Sequence, residues 1–526
     1  MVASPYRSMH GTWSICCVSV LAWLVVGYSI AGSPGVAWAA DTSIEATIGG
    51  IKPNAEAYIT DGMKAFDLPG LAIAIVANDR IVYSKGFGVR SKAGGAPVDT
   101  RTVFQIGSAT KGFLATTMAL MVDRGKFKWD DRVVDLDPEF QLKDPWVTRE
   151  FRMFDLMAQR SGLPPYANDA LGILGLNRTE LIRSLRYVEP VSSFRSTFAY
   201  TNVTHILAGR IVAKVDGAKD WNAVLQKEIL DPLGMKETTY SAEAMESAPD
   251  HASGYRWSSD GTSEVPFTQI FPYDFDGAGD INSTVEDASR WLRFQLGNGS
   301  FEGHRIVSAE NLAVTHTPKV ALSDKVTYAM GWIVQQTPNG TIIWHNGGTT
   351  AFGSYFGMVP EKDVGVVVLT NEANVGFPDA IGRWVIDRIL GNPKVDYVAD
   401  VLRNAKAADA KSVKLFVKPD NPRPFPALTG LAGNFSNPGI GKASLALEGD
   451  SLMLTLRAGG ARFRLTPWDG SIFTAKLMPL GKFAAVAEDL GPMPNAFVQF
   501  QMDKDAKLNV LRLSFDDGQA YDLTRE

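Results

Sequence analysis

The spacing of apolar residues along this chain changes several times, and each spacing predicts a different element. Residues 71–76 alternate small and branched apolar side chains, an Asn-Asp pair marks a turn, and residues 80–83 continue as a second strand. From about residue 112 to residue 299, apolar side chains recur mainly at helical spacing, with breaks at Pro and Gly. The pattern therefore predicts a hairpin followed by a long helical block.

Strands return after the helical block. They are predicted at residues 340–344 and 364–369, and a helix follows from about residue 378 to residue 390. Strands thus come from both ends of the region, with helices between them. This order predicts an α/β domain over residues 41–398, in which helices flank a sheet of two sequence-distant pieces and a helical insertion separates those pieces.

The last part of the chain has a different pattern. Residues 399–426 combine alternating Lys and Ala with closely spaced prolines, and we interpret them as a linker. Short alternating apolar runs follow, separated by Gly and Asp turns. They predict a small all-β domain over residues 427–526, an antiparallel barrel or a sandwich.

Residues 1–40 have the layout of a secretory signal peptide. Arg7 precedes an apolar run at 18–26, and small residues lead to an expected cleavage after Ala39 or Ala40. Both cysteines of the chain lie in this segment, so no disulfide or thiol nucleophile is expected in the mature protein. The expected location is periplasmic or secreted, with no membrane contact after cleavage. An uncleaved membrane anchor is the alternative.

Composition and charge exclude several classes of function. The 526 residues are 45% hydrophobic and 21% charged, with a formal net charge of −5, so the chain is globular and offers no basic surface to nucleic acid. The six histidines are scattered, and no H-E-x-x-H of a zinc protease occurs. The G-x-S-x-G of an α/β-hydrolase is also absent from the sequence.

One S-x-x-K tetrad, formed by Ser108 and Lys111, opens a predicted helix. Residues three apart share a helix face, so the amine can approach the hydroxyl. A serine needs a base to take its proton, and lysine serves only where burial and positive potential favour its neutral form. The helix N-terminus also offers N–H groups to an oxyanion. Alone the tetrad is a weak indication, because a surface serine and a solvated lysine give the same pattern.

Two Tyr-x-Asn triplets are candidates for a proton relay joined to a substrate-binding amide. Tyr200 and Asn202 precede an apolar helical stretch, whereas Tyr166 and Asn168 follow a loop that contains Gly and Pro. The residues alone do not decide between them, since most such triplets serve turns or packing.

A third polar element, from His345 to Gly348, ends a predicted strand. Glycine lets a backbone approach a ligand closely, so Gly347 and Gly348 suit a strand edge that binds a peptide-like substrate. The N–H of Gly348 is then a candidate oxyanion donor. A lone histidine is more often a structural group.

Together these elements resemble the serine β-lactamase and penicillin-binding protein superfamily, in the branch of class C β-lactamases, D-peptidases and related esterases. The matching segments are 104–111 (nucleophile segment), 155–164 (LLxHxSGL, with Gln159 where histidine is usual), 198–202 (FxYSN), 231–235 (PLGM) and 331–348 (GW…HxGG). The resemblance covers about residues 50–393 and favours Tyr200 over Tyr166. More weakly, the tail resembles the lipocalin-like domain appended to some members.

The resemblance implies a β-lactamase-like fold, with an antiparallel sheet flanked by helices, and an acyl-enzyme mechanism without metal or cofactor. Ser108 would be the acylated nucleophile, Lys111 its base and Tyr200 the proton relay. Asn202 would bind substrate. The amides of Ser108 and Gly348 would form the oxyanion hole, with Gly347 beside them on the strand edge.

His345 stands where many relatives carry the lysine of a K-T-G triad. Imidazole has a pKa near ~6.5 and is mostly neutral at neutral pH, so anchoring of a substrate carboxylate should weaken. We therefore expect a peptide or amide hydrolase rather than a true β-lactamase, with His345 in its site. Family members with H-x-G include peptidases for short or unusual peptides, so the resemblance implies substrates such as peptides with D-amino acids or linearised cyclic peptides like microcystin. The alternatives are a carboxylesterase, a β-lactamase or D-alanyl carboxypeptidase of the same fold, and a non-catalytic ligand-binding sensor. The expected partner is a small peptide or ester substrate, and homo-oligomerisation stays open.

Overall fold

The structure, a computed structural model, describes residues 43–505, 507–515 and 518–526, so the predicted signal peptide lies outside the described residues. The strands before the C-terminal domain are β1 Gly70–Ala77, β2 Arg80–Gly88, β3 Phe104–Gln105, β4 Gly254–Ser258, β5 Gly261–Val265, β6 Asn282–Ser283, β7 Ser300–Phe301, β8 His304–Arg305, β9 Val320–Ser323, β10 Val326–Tyr328, β11 Ile333–Thr337, β12 Gly340–Gly348, β13 Gly353–Val359 and β14 Val364–Thr370.

Helices lie between and around these strands. They are α1 Ile44–Phe66, α2 Thr110–Asp123, α3 Val133–Leu136, α4 Pro145–Glu150, α5 Met153–Met157, α6 Asp169–Ile173, α7 Arg178–Ser184, α8 Val203–Asp216, α9 Trp221–Leu225, α10 Asp231–Leu233, α11 Ala242–Ser247, α12 Val285–Leu296, α13 Ala309–His316, α14 Phe377–Leu390, α15 Tyr397–Leu415 and α16 Ala484–Asp489. Over the described ranges, none of them has the length and apolar content needed to cross a bilayer.

The N-terminal hairpin joins the strands near the end of the α/β domain in one sheet. Among the described residues this sheet has eight strands, in the order β2-β1-β14-β13-β12-β11-β10-β9, with every neighbouring pair antiparallel. In the β1–β14 pair, Leu71 lies opposite Thr370 and Ala77 lies opposite Val364. The predicted α/β domain, with its sheet of two sequence-distant pieces and a helical insertion, is confirmed.

Alternation along β1 sends its side chains into two cores. Ala72, Ala74 and Val76 belong to the core shared with α2 and α12, whereas Ile73 and Ile75 belong to the core shared with α1 and α14. Successive side chains of a strand point to opposite faces, and here helices cover both faces. The central strands are therefore buried along their whole length, which explains their long apolar runs.

Helix α2 is the central helix of the insertion side. It is buried on every side from Thr110 to Met121, as expected for a helix that is apolar nearly all round. Phe113 stacks on Trp291 of α12 with ring centroids 3.8 Å apart. This packing gives the N-terminal end of α2 a fixed position, and Ser108 lies in the turn just before it.

Helix α15 occupies most of the predicted linker 399–426, and the sequence interpretation missed it. Val398, Val401 and Ala405 are buried on one face of it, and the Tyr58 hydroxyl donates to the Asp396 carboxylate just before it, at 3.0 Å. Its frequent Lys and Ala residues concealed an apolar stripe at helical spacing. Burial of that stripe against α14 and α1 stabilises the helix more than its own propensity would.

The C-terminal domain is a closed barrel, which confirms the predicted all-β class. The described ranges contribute eight antiparallel strands to it: β15 Gly433–Asn437, β16 Gly441–Glu448, β17 Ser451–Leu456, β18 Arg462–Asp469, β19 Ile472–Leu477, β20 Ala496–Met502, β21 Leu508–Phe515 and β22 Ala520–Arg525. Pairing of β15 with β22 closes the barrel, so each of its described strands has a neighbour on both sides.

Candidate active site

Ser108 lies in a 3-10 turn, Gly107–Ala109, that leads into α2. Gly107 has a φ of +52°, a value that favours glycine. A Cβ on Gly107 would lie 2.7 Å from the Gly348 nitrogen, so a larger residue would push the end of β12 away. The glycine therefore lets the serine turn and the Gly348 amide lie side by side, as an oxyanion hole between them requires.

The end of β12 is held against this turn by a second close approach. A Cβ on Gly347 would lie 1.8 Å from the Ile106 carbonyl oxygen. The Ser354 hydroxyl donates to that same oxygen at 2.6 Å, and the Asn374 amide donates to the Gly347 carbonyl oxygen at 2.8 Å. Gly347 therefore contacts Ile106 closely and accepts a hydrogen bond from Asn374, and these contacts fix the end of β12 although glycine has no side chain.

The Lys111 amine is enclosed by three oxygens. Nζ lies 3.2 Å from Oγ of Ser108, 2.7 Å from Oδ1 of Asn202 and 2.8 Å from the Ala278 carbonyl oxygen, and the residue is 0% exposed. The amide and carbonyl oxygens accept only, whereas the hydroxyl can also donate. A neutral amine has two N–H bonds and one electron pair. In the protonated form Nζ can donate to all three oxygens. In the neutral form, N–H bonds to Asn202 and Ala278 leave the electron pair for the Ser108 proton.

The orientation of the Asn202 amide follows from a carboxylate that the sequence interpretation did not include. Asp169, the first residue of α6, accepts from Nδ2 of Asn202 at 2.6 Å. A carboxylate accepts and does not donate, so it selects the NH₂ end of the amide. The oxygen end of Asn202 is consequently turned toward Lys111.

Tyr200 lies over the same lysine. Nζ of Lys111 is 4.8 Å from the centre of the Tyr200 ring, and the ring of Tyr166 lies 5.5 Å from it on another side. The backbone N–H of Tyr166 also donates to the Tyr200 carbonyl oxygen at 2.6 Å. The two Tyr-x-Asn triplets are therefore neighbours: the one at Tyr200 contacts the lysine, and the one at Tyr166 supports it.

His345 is buried, 2% exposed, and sits with its ring centroid 6.3 Å from that of Tyr200. Its Nδ1 faces the Asn346 carbonyl oxygen, which can only accept, so Nδ1 carries the proton. Nε2 then accepts from the Tyr328 hydroxyl at 3.0 Å. Burial, and then the positive charge of Lys111, lower the pKa of His345 to about 3. The imidazole is neutral near pH 7 and offers no cation to a substrate carboxylate.

We predict that the His345 ring does not titrate between pH 5 and pH 8. The folded state holds the neutral form, so its contribution to stability is present above about pH 6.5 and is lost as the pH falls toward 3. NMR of protein labelled with ¹⁵N-histidine checks this, with His345→Gln to assign the signals and added imidazole as the pH indicator. A titration midpoint for His345 inside that range would contradict the assigned environment.

The segment that carries Tyr200 is anchored by a buried carboxylate. Asp155 is paired with the guanidinium groups of Arg160 at 2.9 Å and Arg195 at 2.6 Å. The neighbouring Gln159, which stands where relatives carry histidine, accepts from the Thr201 N–H at 2.6 Å. These contacts connect the 155–160 stretch to the backbone on both sides of the tyrosine.

Asp155→Ala is expected to lower the free energy of unfolding by about 3 kcal/mol, because removal of the buried carboxylate leaves two half-buried guanidinium groups without their counter-charge. Asp135→Ala is the matched control, since Asp135 pairs with Arg132 on the exposed surface; about 1 kcal/mol or less is expected for it. Urea unfolding followed by circular dichroism measures both. Equal losses in the two variants would show that the Asp155 cluster is not an anchor.

The structure brings together all the site residues proposed from the sequence. The Lys111 amine is surrounded by Ser108, Asn202 and Tyr200. The strand from His345 to Gly348 borders this group. Sequence reasoning missed the Ala278 carbonyl, Asp169 and Tyr328. A backbone carbonyl has no sequence signature. Asp169 did have a weak one, since it directly follows the second Tyr-x-Asn triplet.

Two family models match the chain. The model of the beta-lactamase family matches residues 55–390, and that of a domain of unknown function, DUF3471, matches residues 417–525. The first match covers more than half of the chain, and the second begins just after α15 and covers the barrel.

Several curated proteins are similar to this chain. The Unguisins hydrolase ungD of Aspergillus violaceofuscus is 27% identical over 75% of this chain and 76% of its own length. The Unguisins hydrolase ungD' of Aspergillus campestris is 28% identical over 63% of each chain. Protein flp of Staphylococcus aureus strain MW2 is 25% identical over 64% of this chain and 66% of its own length. The chain thus spans slightly less than two thirds of the last two relatives.

A solved structure supports the fold. The octameric penicillin-binding protein homologue from Pyrococcus abyssi superposes with a TM-score of 0.58 at 23% identity, covering 90% of this chain and 100% of that chain. At this identity the likeness concerns the fold alone. The extent of the family match, the curated relatives, the shared fold and the lysine-centred site lead to one conclusion. This chain belongs to the beta-lactamase family and is a serine hydrolase.

Proposed function

We propose that this protein cleaves amide bonds of short or unusual peptides through an acyl-enzyme on Ser108. The observation that carries the proposal is the set of partners of the Lys111 amine. Nζ lies within hydrogen-bonding distance of oxygens of Asn202, Ala278 and Ser108. When the amine is neutral, its two N–H bonds can go to Asn202 and Ala278, and its electron pair then faces the serine oxygen, 3.2 Å away. A hydroxyl in that position can lose its proton as it attacks a carbonyl.

In the proposed acylation, Oγ of Ser108 bonds to the substrate carbonyl carbon while its proton passes to Lys111. The N–H groups of Ser108 and Gly348 hold the oxyanion. The tetrahedral intermediate collapses, the C–N bond breaks, and the amine leaves with a proton relayed from Lys111 by Tyr200. In deacylation a water molecule adds to the ester, its proton passes to the same base, and Ser108 is released with its proton restored.

The substrate class follows from the environment of His345. A neutral, buried imidazole favours substrates that need no cation at this strand, and it disfavours a penicillin or a terminal D-alanine anchored by its carboxylate. The similarity to two proteins named as unguisins hydrolases supports hydrolysis of a specialised substrate rather than of general protein. The glycine edge of β12 suits a peptide backbone, which can pair with a strand edge.

Export and assembly complete the proposal. We propose a periplasmic or secreted location, based on the charged start and apolar centre of residues 1–40.

We also propose a homo-oligomer, because the structural neighbour is described as octameric. Sedimentation of the full chain at several concentrations tests the assembly.

A substrate screen tests the proposed activity. Its members are p-nitroanilides of short D- and L-peptides, p-nitrophenyl esters, nitrocefin and a fluorescent penicillin, each with the wild type and with Ser108→Ala. Turnover of peptide anilides that is lost in the variant is the expected result. Turnover of esters only, or of nitrocefin, would assign an esterase or a β-lactamase instead. Formation of a stable adduct without product release would assign a ligand-binding sensor.

A further inference from the structure

The C-terminal barrel contacts the catalytic domain next to the candidate site. Tyr521 of β22 donates from its hydroxyl to Oδ1 of Asn168 at 2.9 Å. Gln519, just before that strand, donates from its side-chain amide to the Pro165 carbonyl oxygen at 3.2 Å. Two residues of the barrel therefore hold the short loop that leads into α6. We call residues 165–169 the α6 entry loop.

The inner side of the α6 entry loop faces the site. Tyr166 packs on Tyr200, and Asp169 accepts from the Asn202 amide, whose oxygen accepts from Lys111. Asn168 is buried between the two sides, with a φ of +64°. The loop thus contacts the barrel with one face and the partners of Lys111 with the other.

The far end of α6 is also seated on the barrel. A Cβ on Gly459, in the turn between β17 and β18, would lie 1.9 Å from the Leu174 carbonyl oxygen. Lys482 donates from its amine to the Gly175 carbonyl oxygen at 3.4 Å. Contacts at both ends of a five-residue helix leave it little freedom to shift.

The barrel reaches the opposite border of the site as well. Asp489, the last residue of α16, accepts a hydrogen bond from the Thr350 side chain, two residues after Gly348. The Arg256 guanidinium donates to the carbonyl oxygens of Glu488 and Asp489. The barrel therefore spans from the α6 entry loop to the strand that ends at Gly348.

We propose that Tyr521 of the barrel is a positioning residue for the catalytic lysine. Its hydrogen bond to Asn168 fixes the α6 entry loop, the loop fixes Asp169, and Asp169 keeps the oxygen of Asn202 turned toward Lys111. The barrel is thus part of the catalytic unit. This inference rests on the proposed function of Ser108 and Lys111, and it assigns a residue outside the catalytic domain to the same reaction.

The test uses the full chain with Tyr521→Phe, which removes one hydroxyl and keeps the ring. Asp522→Asn is the matched control, because Asp522 is adjacent on β22 and its side chain pairs with Arg512 on the exposed barrel surface. The readouts are kcat and KM for the best p-nitroanilide of the screen, and the rate at which a fluorophosphonate forms its adduct. We expect kcat and the rate of adduct formation of Tyr521→Phe to fall about threefold to tenfold, while KM stays within twofold of the wild-type value. The reason is that a misplaced base lowers the rate constant of the chemical step.

A double-mutant cycle shows whether Tyr521 acts through Asn168. Asn168→Gly removes the acceptor and suits the positive φ at this position. Residues that act through one contact give non-additive effects, so the double variant is expected to match Asn168→Gly alone. Losses that multiply in the double variant would overturn the inference, as would a Tyr521→Phe enzyme equal to the control.

Failure of this inference is distinguishable from failure of the proposed function. A wild type that neither turns over the anilide nor forms the adduct contradicts the proposed function, and the inference with it. An active wild type together with an unaffected Tyr521→Phe contradicts the inference alone.

Discussion

Ser108→Ala is expected to lower kcat/KM for the best peptide anilide by roughly ten-thousandfold or more, because the residual oxyanion and binding interactions cannot replace a nucleophile. The variant is also expected to acquire no mass on incubation with a fluorophosphonate, whereas the wild type gains one adduct per chain. Ser108 is 7% exposed and lies between the Gly348 strand end and Lys111, so loss of its hydroxyl leaves the surrounding packing nearly unchanged.

Ser259→Ala is the matched control, since Ser259 lies on the exposed turn between β4 and β5. It is expected to keep wild-type turnover and to form the adduct at the wild-type rate. If Ser108→Ala were modified as fast as Ser259→Ala, another residue would be the nucleophile and the proposed mechanism would be wrong.

Lys111→Met is expected to lower kcat/KM by about a thousandfold, within the range that general base catalysis contributes. Methionine has a similar length and fills the buried site, but it cannot take a proton and cannot donate to Asn202 and Ala278. The wild type needs the neutral amine, so its kcat/KM is expected to rise with pH into the mildly alkaline range. The residual rate of Lys111→Met should lack that rise.

Steady-state rates from pH 5 to pH 9.5 measure this difference, with circular dichroism to verify folding at each pH. Lys126→Met serves as the control, because Lys126 is exposed just after α2 and is expected to keep both the rate and the pH profile. A wild-type optimum near pH 5, or a Lys111→Met enzyme with the wild-type profile, would contradict the role of Lys111. His345 is not expected to shape this profile, because its pKa of about 3 lies below the tested range.

His345 is neutral near pH 7, so it adds no positive charge to the site where a lysine would add one. Nδ1 and Nε2 are both used inside the protein, by the Asn346 carbonyl and the Tyr328 hydroxyl. A lysine at this position would have to extend its charge toward the cleft or remain buried at high cost. Under the proposed function, the neutral ring therefore bears on substrate choice, and the acyl-enzyme chemistry is assigned to Ser108 and Lys111.

Several features were available from the sequence because they depend on neighbouring residues. The three-residue spacing of Ser108 and Lys111 places both on one helix face, and period-two runs identified the strands of the barrel and the sheet. The resemblance of short motifs then selected Tyr200 over Tyr166. Local spacing and side-chain chemistry are sufficient for such conclusions.

Other features were decided only by the tertiary structure, because their partners are far apart in the chain. Lys111 meets Asn202 across 91 positions and the Ala278 carbonyl across 167. Tyr521 meets Asn168 across 353. Such pairs form only when packing of the two cores and the barrel brings the segments together, and a hydrogen bond between them leaves no periodic trace in the sequence. The amino-acid pattern thus determined which side chains are candidates for the chemistry, and the packing determined which of them contact the Lys111 amine.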